Sequence, residues 1–442
     1  MSGGLQRAFF GNVARISGGA ASAHALTLAA MPAITRLFSP EELGVYGLYA
    51  SVVALFGSVA SLRYEMAMLV PEDREHVLTL LDLSLLTVIC FSIVATLVIL
   101  FAGDSLISIA GASFGSPMAL LLVPLGIFSF GLYQALTAFA VKVQTFNAIG
   151  ASRVAVAAGR VAAQLVAGGL KSGPAGLLAG ELAGQILGSA LLLTIALNRE
   201  IKIFRHGVTK LWSAARRYWR FPAFAAPTAL VNAVGVVHLP IFLCSYLYGV
   251  EQAGYLFLAQ KAMSIPMLLL GTAIGQVYMS EIAGNRLTGE EAYRLFTTLT
   301  LRLAGVGVLI GLVTATTAPF LFPFVFGPSW SEAGIYIQSL AIMYAAQFFG
   351  APTAQTLNIY EKPGKLFMWD VSRLVFAFAA FSGSWSAGLS IEHTLLVYAM
   401  AQAISYVALV ALVRHVLMRK RSSHAITSQS LTGATSEETG PG

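Results

Sequence analysis

In a chain of 442 residues, 57% are hydrophobic and only 11% charged, and the mean hydropathy is +0.76. Water does not solvate such a surface, so a soluble globular fold is excluded. The net charge of +7 and pI near 9.4 would point to nucleic acid in a soluble protein. Here the Lys and Arg residues gather in alternate loops between apolar runs, which is the charge signature of membrane topology, and no nucleic-acid partner is expected.

Twelve apolar runs of membrane-spanning length follow one another. The first six lie near 9–35, 44–70, 77–102, 115–145, 148–170 and 174–197. The next six lie near 221–250, 253–281, 295–321, 332–360, 365–390 and 391–418. The first run has no small-residue cleavage site of the signal-peptide kind and is expected to be retained. Between the sixth and seventh runs, Arg199, Lys202, Arg205, Lys210, Arg216, Arg217 and Arg220 place a basic linker on the cytoplasmic side. Counting outward, Arg7, Arg74, Arg286, Arg294, Lys362, Lys365 and the cluster from Arg414 to Arg421 fall on that same side, against Arg36 and Lys171 on the other. Both termini are therefore expected in the cytoplasm. The Ser/Thr/Gly-rich end cannot bury apolar surface and is predicted to be disordered.

The pattern predicts an all-α polytopic membrane protein of about 12 transmembrane helices in two six-helix lobes. The expected division is residues 1–198 for the first lobe, 199–220 for the linker, 221–418 for the second lobe and 419–442 for the tail. An internal echo supports two like halves. Glu41-Glu42-Leu43-Gly44 resembles Glu251-Gln252-Ala253-Gly254, and Gln144-Thr145-Phe146-Asn147 resembles Gln355-Thr356-Leu357-Asn358. Because each half has an even number of spans, the halves are expected to share orientation about a pseudo-twofold axis along the membrane normal, the plan of parallel-repeat transporters.

Ionisable groups inside spans are costly and so mark function. The cations are Arg63, Lys142, Arg153, Arg160, Lys261, Arg302 and Arg373, and the acids are Glu65, Glu181 and Asp370. Two readings of the cations stand side by side: snorkelling to the interface from near a helix end, or lining a basic vestibule that would bind phosphate through the guanidinium fork. Arg160 and Arg373 lie two turns or more inside their spans at similar places in the two halves, and Lys261 lies as deep from the other side. Of the acids, Asp370 stands three residues before Arg373, the helical spacing for a pair, whereas Glu65 stands only two residues after Arg63. Glu181 has no cation nearby in sequence and is the better proton-relay candidate.

Several other features read as packing. Gly176, Gly180, Gly184 and Gly188 make a smooth stripe along the sixth run for close helix approach. Gly305, Gly307 and Gly311 sit in an apolar span with no preceding strand, so they form a packing face and not a dinucleotide loop. Prolines inside spans, among them Pro32, Pro124, Pro227, Pro240, Pro266 and Pro352, bend helices. Cys90 and Cys244 fall in apolar runs, and the histidines, His24 and His238 among them, are scattered; no disulfide, metal site or cofactor is expected.

The residues Asn12, Pro32 and Arg36-Leu37-Phe38-Ser39-Pro40-Glu41-Glu42-Leu43-Gly44, then Leu62-Arg63-Tyr64-Glu65 and Pro71, resemble those of Wzx-type polysaccharide flippases. A second block, with Phe146-Asn147, Arg153, Arg160, Gly173-Pro174-Ala175-Gly176-Leu177, Gly180, Gly184 and Gln185, resembles the same family. That family is a branch of the multidrug/oligosaccharidyl-lipid/polysaccharide exporter superfamily. The resemblance implies a flippase, not an enzyme, that moves undecaprenyl-pyrophosphate-linked oligosaccharide across the bacterial inner membrane by alternating access through a cationic cavity. It implies a role in polysaccharide biosynthesis, whether lipopolysaccharide or exopolysaccharide, beside a polysaccharide polymerase and a chain-length regulator. On this reading Arg63, Arg153, Arg160, Lys261, Arg302 and Arg373 bind the substrate, and Glu65, Glu181 and Asp370 are ion-coupling candidates.

A drug or cation antiporter of the related multidrug branch has the same size, but its cavity should be acidic, and the intramembrane balance here is basic. A membrane polysaccharide polymerase would need a long catalytic loop, and the inferred external loops are too short.

Overall fold

The computed structural model describes residues 3–109, 117–198, 206–233, 238–267, 275, 278, 281–282 and 289–437. All regular structure among them is helical. The helices are α1 (Gly3–Leu37), α2 (Pro40–Gly57), α3 (Tyr64–Ala67), α4 (Arg74–Ile109), α5 (Pro117–Lys142), α6 (Phe146–Gly169), α7 (Pro174–Asn198) and α8 (Val208–Arg217). A π turn at Phe221–Ala225 leads to α9 (Ala226–Ala233), α10 (Leu239–Tyr248) and α11 (Val250–Pro266). The rest are α12 (Gly289–Phe326), α13 (Ser331–Gly350), α14 (Thr356–Ile359), α15 (Pro363–Ser386) and α16 (Ile391–Glu437). Seven described helices are each long and apolar enough to cross a membrane, and shorter apolar helices accompany them. The protein is an all-α, multi-pass membrane protein.

Hydropathy located these helices but not their interruptions. The second run, expected to continue to 70, stops at Gly57 and gives way to a turn in which Leu62 (φ 51°) and Arg63 (φ 62°) take left-handed conformations that no helix continues through. The tenth run breaks after Gly350 into a 3-10 turn at Ala351–Thr353, where Pro352 removes a backbone donor. The described part of the basic linker expected over 199–220 contains the helix α8. The last helix carries the backbone to Glu437, into the segment whose composition predicts disorder. Arg199, Lys202, Arg205 and Arg286 lie outside the described residues.

The chain divides into two compact units, Met1–Ala262 with Phe320–Ala333, and Met263–Pro319 with Gly334–Gly442. Within the first, the glycine stripe of α7 lets α6 approach almost backbone to backbone. A methyl group would lie 2.4 Å from Gln164 Cγ at Gly180, 2.5 Å from the Val156 carbonyl oxygen at Gly184, and 2.3 Å from Val156 Cγ2 at Gly188. Gly184→Ala should therefore cost about 1–3 kcal/mol through overpacking, read as a lowered melting temperature in detergent. Gly305→Ala, at a helical position with open space around it, should be neutral or stabilising in the same assay. In the second unit, Gly307 faces the Ala345 carbonyl oxygen at 2.6 Å, so that glycine run does serve packing.

One echo of the sequence meets itself in space. A methyl at Gly44 would lie 1.9 Å from the carbonyl oxygen of Val250, and one at Gly254 would lie 1.9 Å from that of Pro40. Pro40 and Gly44 are the counterparts of Val250 and Gly254, so the first turns of α2 and α11 pack reciprocally, as a local twofold axis requires. The capping box of Ser39 and Glu42 fixes where α2 begins. Trp330 stiffens the seam, donating from Nε1 to the Thr35 carbonyl at 2.9 Å and packing edge-on to Tyr255 at 5.9 Å. The second echo does not mark equivalent turns: Gln144 is left-handed (φ 58°), while Gln355 is helical (φ −66°).

Candidate functional site

Inside the first unit, the close α6–α7 contact brings Arg160 against Glu181, two residues that the sequence separates by most of a helical hairpin. Arg160 NH1 donates to Glu181 Oε2 at 3.0 Å, and both side chains are largely withdrawn from solvent, at 20% and 12% exposure. The same oxygen accepts from the Tyr46 hydroxyl of α2 at 2.6 Å, and Oε1 accepts from Gln185 Nε2, one turn along α7, at 3.4 Å. Glu181 is thus held by three donors from three helices. Arg160 is not fully used: its Nε is buried without a hydrogen-bond partner. An orphaned guanidinium donor of this kind carries a real cost unless something accepts from it.

Further positive charge surrounds the pair. Arg153 lies two turns before Arg160 on α6, on nearly the same face. Lys261 of α11 stands over the Phe257 ring at 5.4 Å, and Phe257 in turn packs edge-on to Tyr46 at 5.4 Å. Lys261, Arg160 and Arg153 are all near enough to His24 of α1 for their charges to bear on it, and Lys261 also feels Glu181. Among the described residues, Arg153, Arg160, Lys261 and Glu181 therefore share one region. Thr27, Tyr46, Arg160, Gln164 and Lys261 line a cavity of about 20 Å³ there, room for roughly one water. Gln164 is fixed by donating to the Leu177 carbonyl at 3.1 Å.

The other residues expected at the site lie elsewhere. Arg63 and Glu65 sit past the far end of α2 from Tyr46, about 16 Å of helix away. They pair with each other at 3.3 Å, Glu65 also accepting from Ser61 Oγ. The left-handed turn at Arg63 brings together two residues that no helix would. Lys142 ends α5 and donates to the Leu69 carbonyl at 3.1 Å. In the second unit, Arg302 is exposed and shares a helix stripe with exposed Val306, Leu309 and Val313.

Arg373 is only 5% exposed and is boxed in. Its Nε donates to Gln402 Oε1 and its NH2 to the Tyr406 hydroxyl, both at 3.0 Å. Its guanidinium carbon stands 4.6 Å from the Trp369 ring and 4.7 Å from the Tyr406 ring. The expected helical pair with Asp370 does not form within ion-pair distance, because the guanidinium turns to α16 instead. No cluster of three or more metal-ligating side chains occurs among the described residues.

Sequence reasoning passed over several participants. Tyr46, Gln164, Gln402 and Tyr406 carry no spacing signal. Asp82 does: it is an acid inside the third apolar run, buried in α4 at 2% exposure and paired at 2.7 Å with Nδ1 of His206.

The helical architecture is that of the transporters of the MOP superfamily. A lipid II flippase, MurJ, in an inward closed conformation superposes with a TM-score of 0.71 at 13% identity, over 93% of this chain and 90% of that one. A multidrug resistance MATE family transporter in an inward-facing conformation gives 0.60 at 14% identity, over 92% and 95%. A Pyrococcus furiosus transporter of the superfamily, described as having a binding pocket of reversed polarity, gives 0.54 at 12%, over 93% and 96%. At these identities the likeness establishes the fold alone. Residues 33–334 match the model of the family described as "Polysaccharide biosynthesis protein", and the chain belongs to that family. No curated protein matches it.

Proposed function

We propose that this membrane transporter is a flippase for undecaprenyl-pyrophosphate-linked oligosaccharide, acting in the bacterial inner membrane with both termini in the cytoplasm. The observation that carries the reading is the buried guanidinium donor left open at Arg160, whose other nitrogen pairs with Glu181, in a region that Lys261 also reaches. A guanidinium with a donor to spare in a low-dielectric setting favours an anion, and its fork matches phosphate. The family supplies the pathway, polysaccharide biosynthesis, and the fold is shared with a lipid II flippase.

The six-helix lobes of residues 1–198 and 221–418 would rock about the head group, while the polyprenyl chain stays in lipid. Arg160 and Lys261, assisted by Arg153, would hold the pyrophosphate, and Arg63 would serve the path to and from it. Glu181 is the ion-coupling residue on this reading, since arriving phosphate competes with its carboxylate for Arg160 and frees it to take a proton. Glu65, paired with Arg63, and Asp370 rank behind it. The reciprocal seam of Gly44 and Gly254 would have to part for the alternate opening. Polymerase and chain-length regulator would act downstream.

Thermal stabilisation of the purified protein tests the reading. Undecaprenyl pyrophosphate should raise the melting temperature and undecaprenol should not, and Lys261→Gln should weaken the effect by about tenfold to a hundredfold in ligand concentration. Equal stabilisation by undecaprenol, or stabilisation by cationic drugs alone, would favour a different transporter class.

A further inference from the structure

The linker helix α8 turns one face to the protein and leaves another without a partner. Its inner face, Leu211, Ala214, Ala215 and Tyr218, packs into the cluster formed with Val77, Leu80 and Leu81 of α4. Polar ties fix it there: Lys210 bonds to Glu75, Arg217 NH1 donates to His76 Nε2 at 3.5 Å, and His206 pairs with Asp82 just before the helix. His76 in turn bonds Asp73 at 2.8 Å and holds that carboxyl below its ordinary range. The helix is docked, so its outer face points in a fixed direction.

That outer face is aromatic, aliphatic and basic. Val208 is 81% exposed and Trp212, one turn on, is 71% exposed, with Trp219 and Phe224 continuing the exposure past the helix end. Arg216 and Arg220 are exposed beside them. From His206 to Ala225 there is no acidic residue. A water-facing helix does not need exposed tryptophans, and a helix buried in acyl chains does not carry unpaired arginines; indole and guanidinium together match the headgroup layer. The position agrees, since α8 joins the spanning helix α7 to the apolar α9. We infer that α8 lies along the membrane interface and that Arg216 and Arg220 bind anionic lipid headgroups of the adjoining leaflet. The charge of the segment selects anionic over zwitterionic lipid, each arginine adding a similar increment of attraction.

Two measurements on the full-length protein test this. In vesicles with lipids brominated near the carbonyl end of the chain, the fluorescence difference between wild type and the Trp212→Phe/Trp219→Phe double variant should be quenched, and aqueous acrylamide should have little effect on it. Native mass spectrometry after extraction from phosphatidylcholine with phosphatidylglycerol should show retained phosphatidylglycerol, falling by roughly thirtyfold in affinity in Arg216→Gln/Arg220→Gln. Quenching by acrylamide alone, equal retention of the two lipids by wild type, or retention unchanged in the arginine variant would each overturn the inference. The wild-type comparisons keep it testable even where the variant inserts poorly.

Discussion

Arg160→Ala should abolish transport and at the same time destabilise the protein by about 3–5 kcal/mol, because removing one partner of a buried ion pair leaves the other charge uncompensated. Loss of transport in that variant alone would therefore say little about substrate binding. The pair must be separated with three variants. Arg160→Ala strands Glu181, whose remaining donors are Tyr46 and Gln185. Glu181→Gln strands Arg160 instead, keeping the cation and removing its internal competitor. Arg160→Gln/Glu181→Gln removes both charges and should recover most of the lost stability, as neutral replacement of buried pairs does. If Arg160 contacts the anionic substrate, the double variant melts near wild type but does not transport, while Glu181→Gln binds undecaprenyl pyrophosphate more tightly than wild type. Transport restored in the double variant would assign Arg160 a structural role. Melting curves in detergent and a vesicle translocation assay supply both readouts.

The spans were readable because membrane insertion is decided by composition over about 20 residues, a property that needs no knowledge of partners. What interrupts a span is decided by single residues, and the left-handed pair Leu62 and Arg63 has no glycine to announce it. Local spacing rules served the ion pairs poorly for a related reason. Asp370 and Arg373 have helical spacing yet do not pair, because Gln402 and Tyr406 of another helix offer Arg373 better geometry. Arg63 and Glu65 lack helical spacing yet do pair, because the chain between them is a turn.

The partner of Glu181 could have been found. The stripe of Gly176, Gly180, Gly184 and Gly188 announces a close helix neighbour on the sixth run, and Glu181 adjoins that stripe. The preceding run is the nearest candidate, and Arg160 is its deepest cation. Asp82 was also within reach, being an acid in an apolar run with His206 in the linker. Tyr46 was not, since a tyrosine in a span is unremarkable until the acid it serves is placed.

Arg373→Ala should lower stability by about 2–5 kcal/mol, the sum expected for two hydrogen bonds from a charged donor and two cation–π contacts, less the solvation that the buried guanidinium gives up. Gln402 and Tyr406 would be left with unsatisfied oxygens in a buried setting, although Gln402 would keep its donation to the residue-373 carbonyl, now at 3.1 Å. Arg373→Lys should rescue little, because one ammonium on a flexible stem cannot bond two acceptors while lying flat between Trp369 and Tyr406. A residue that holds the anion would behave otherwise under the conservative change: lysine would restore part of the affinity through charge. Arg160 and Arg373 occupy similar places in the two halves, but one faces a carboxylate with a donor to spare and the other is enclosed by neutral partners. The expected contrast in their lysine variants follows from that asymmetry, and under the proposed function it would place the anion beside Arg160 rather than Arg373.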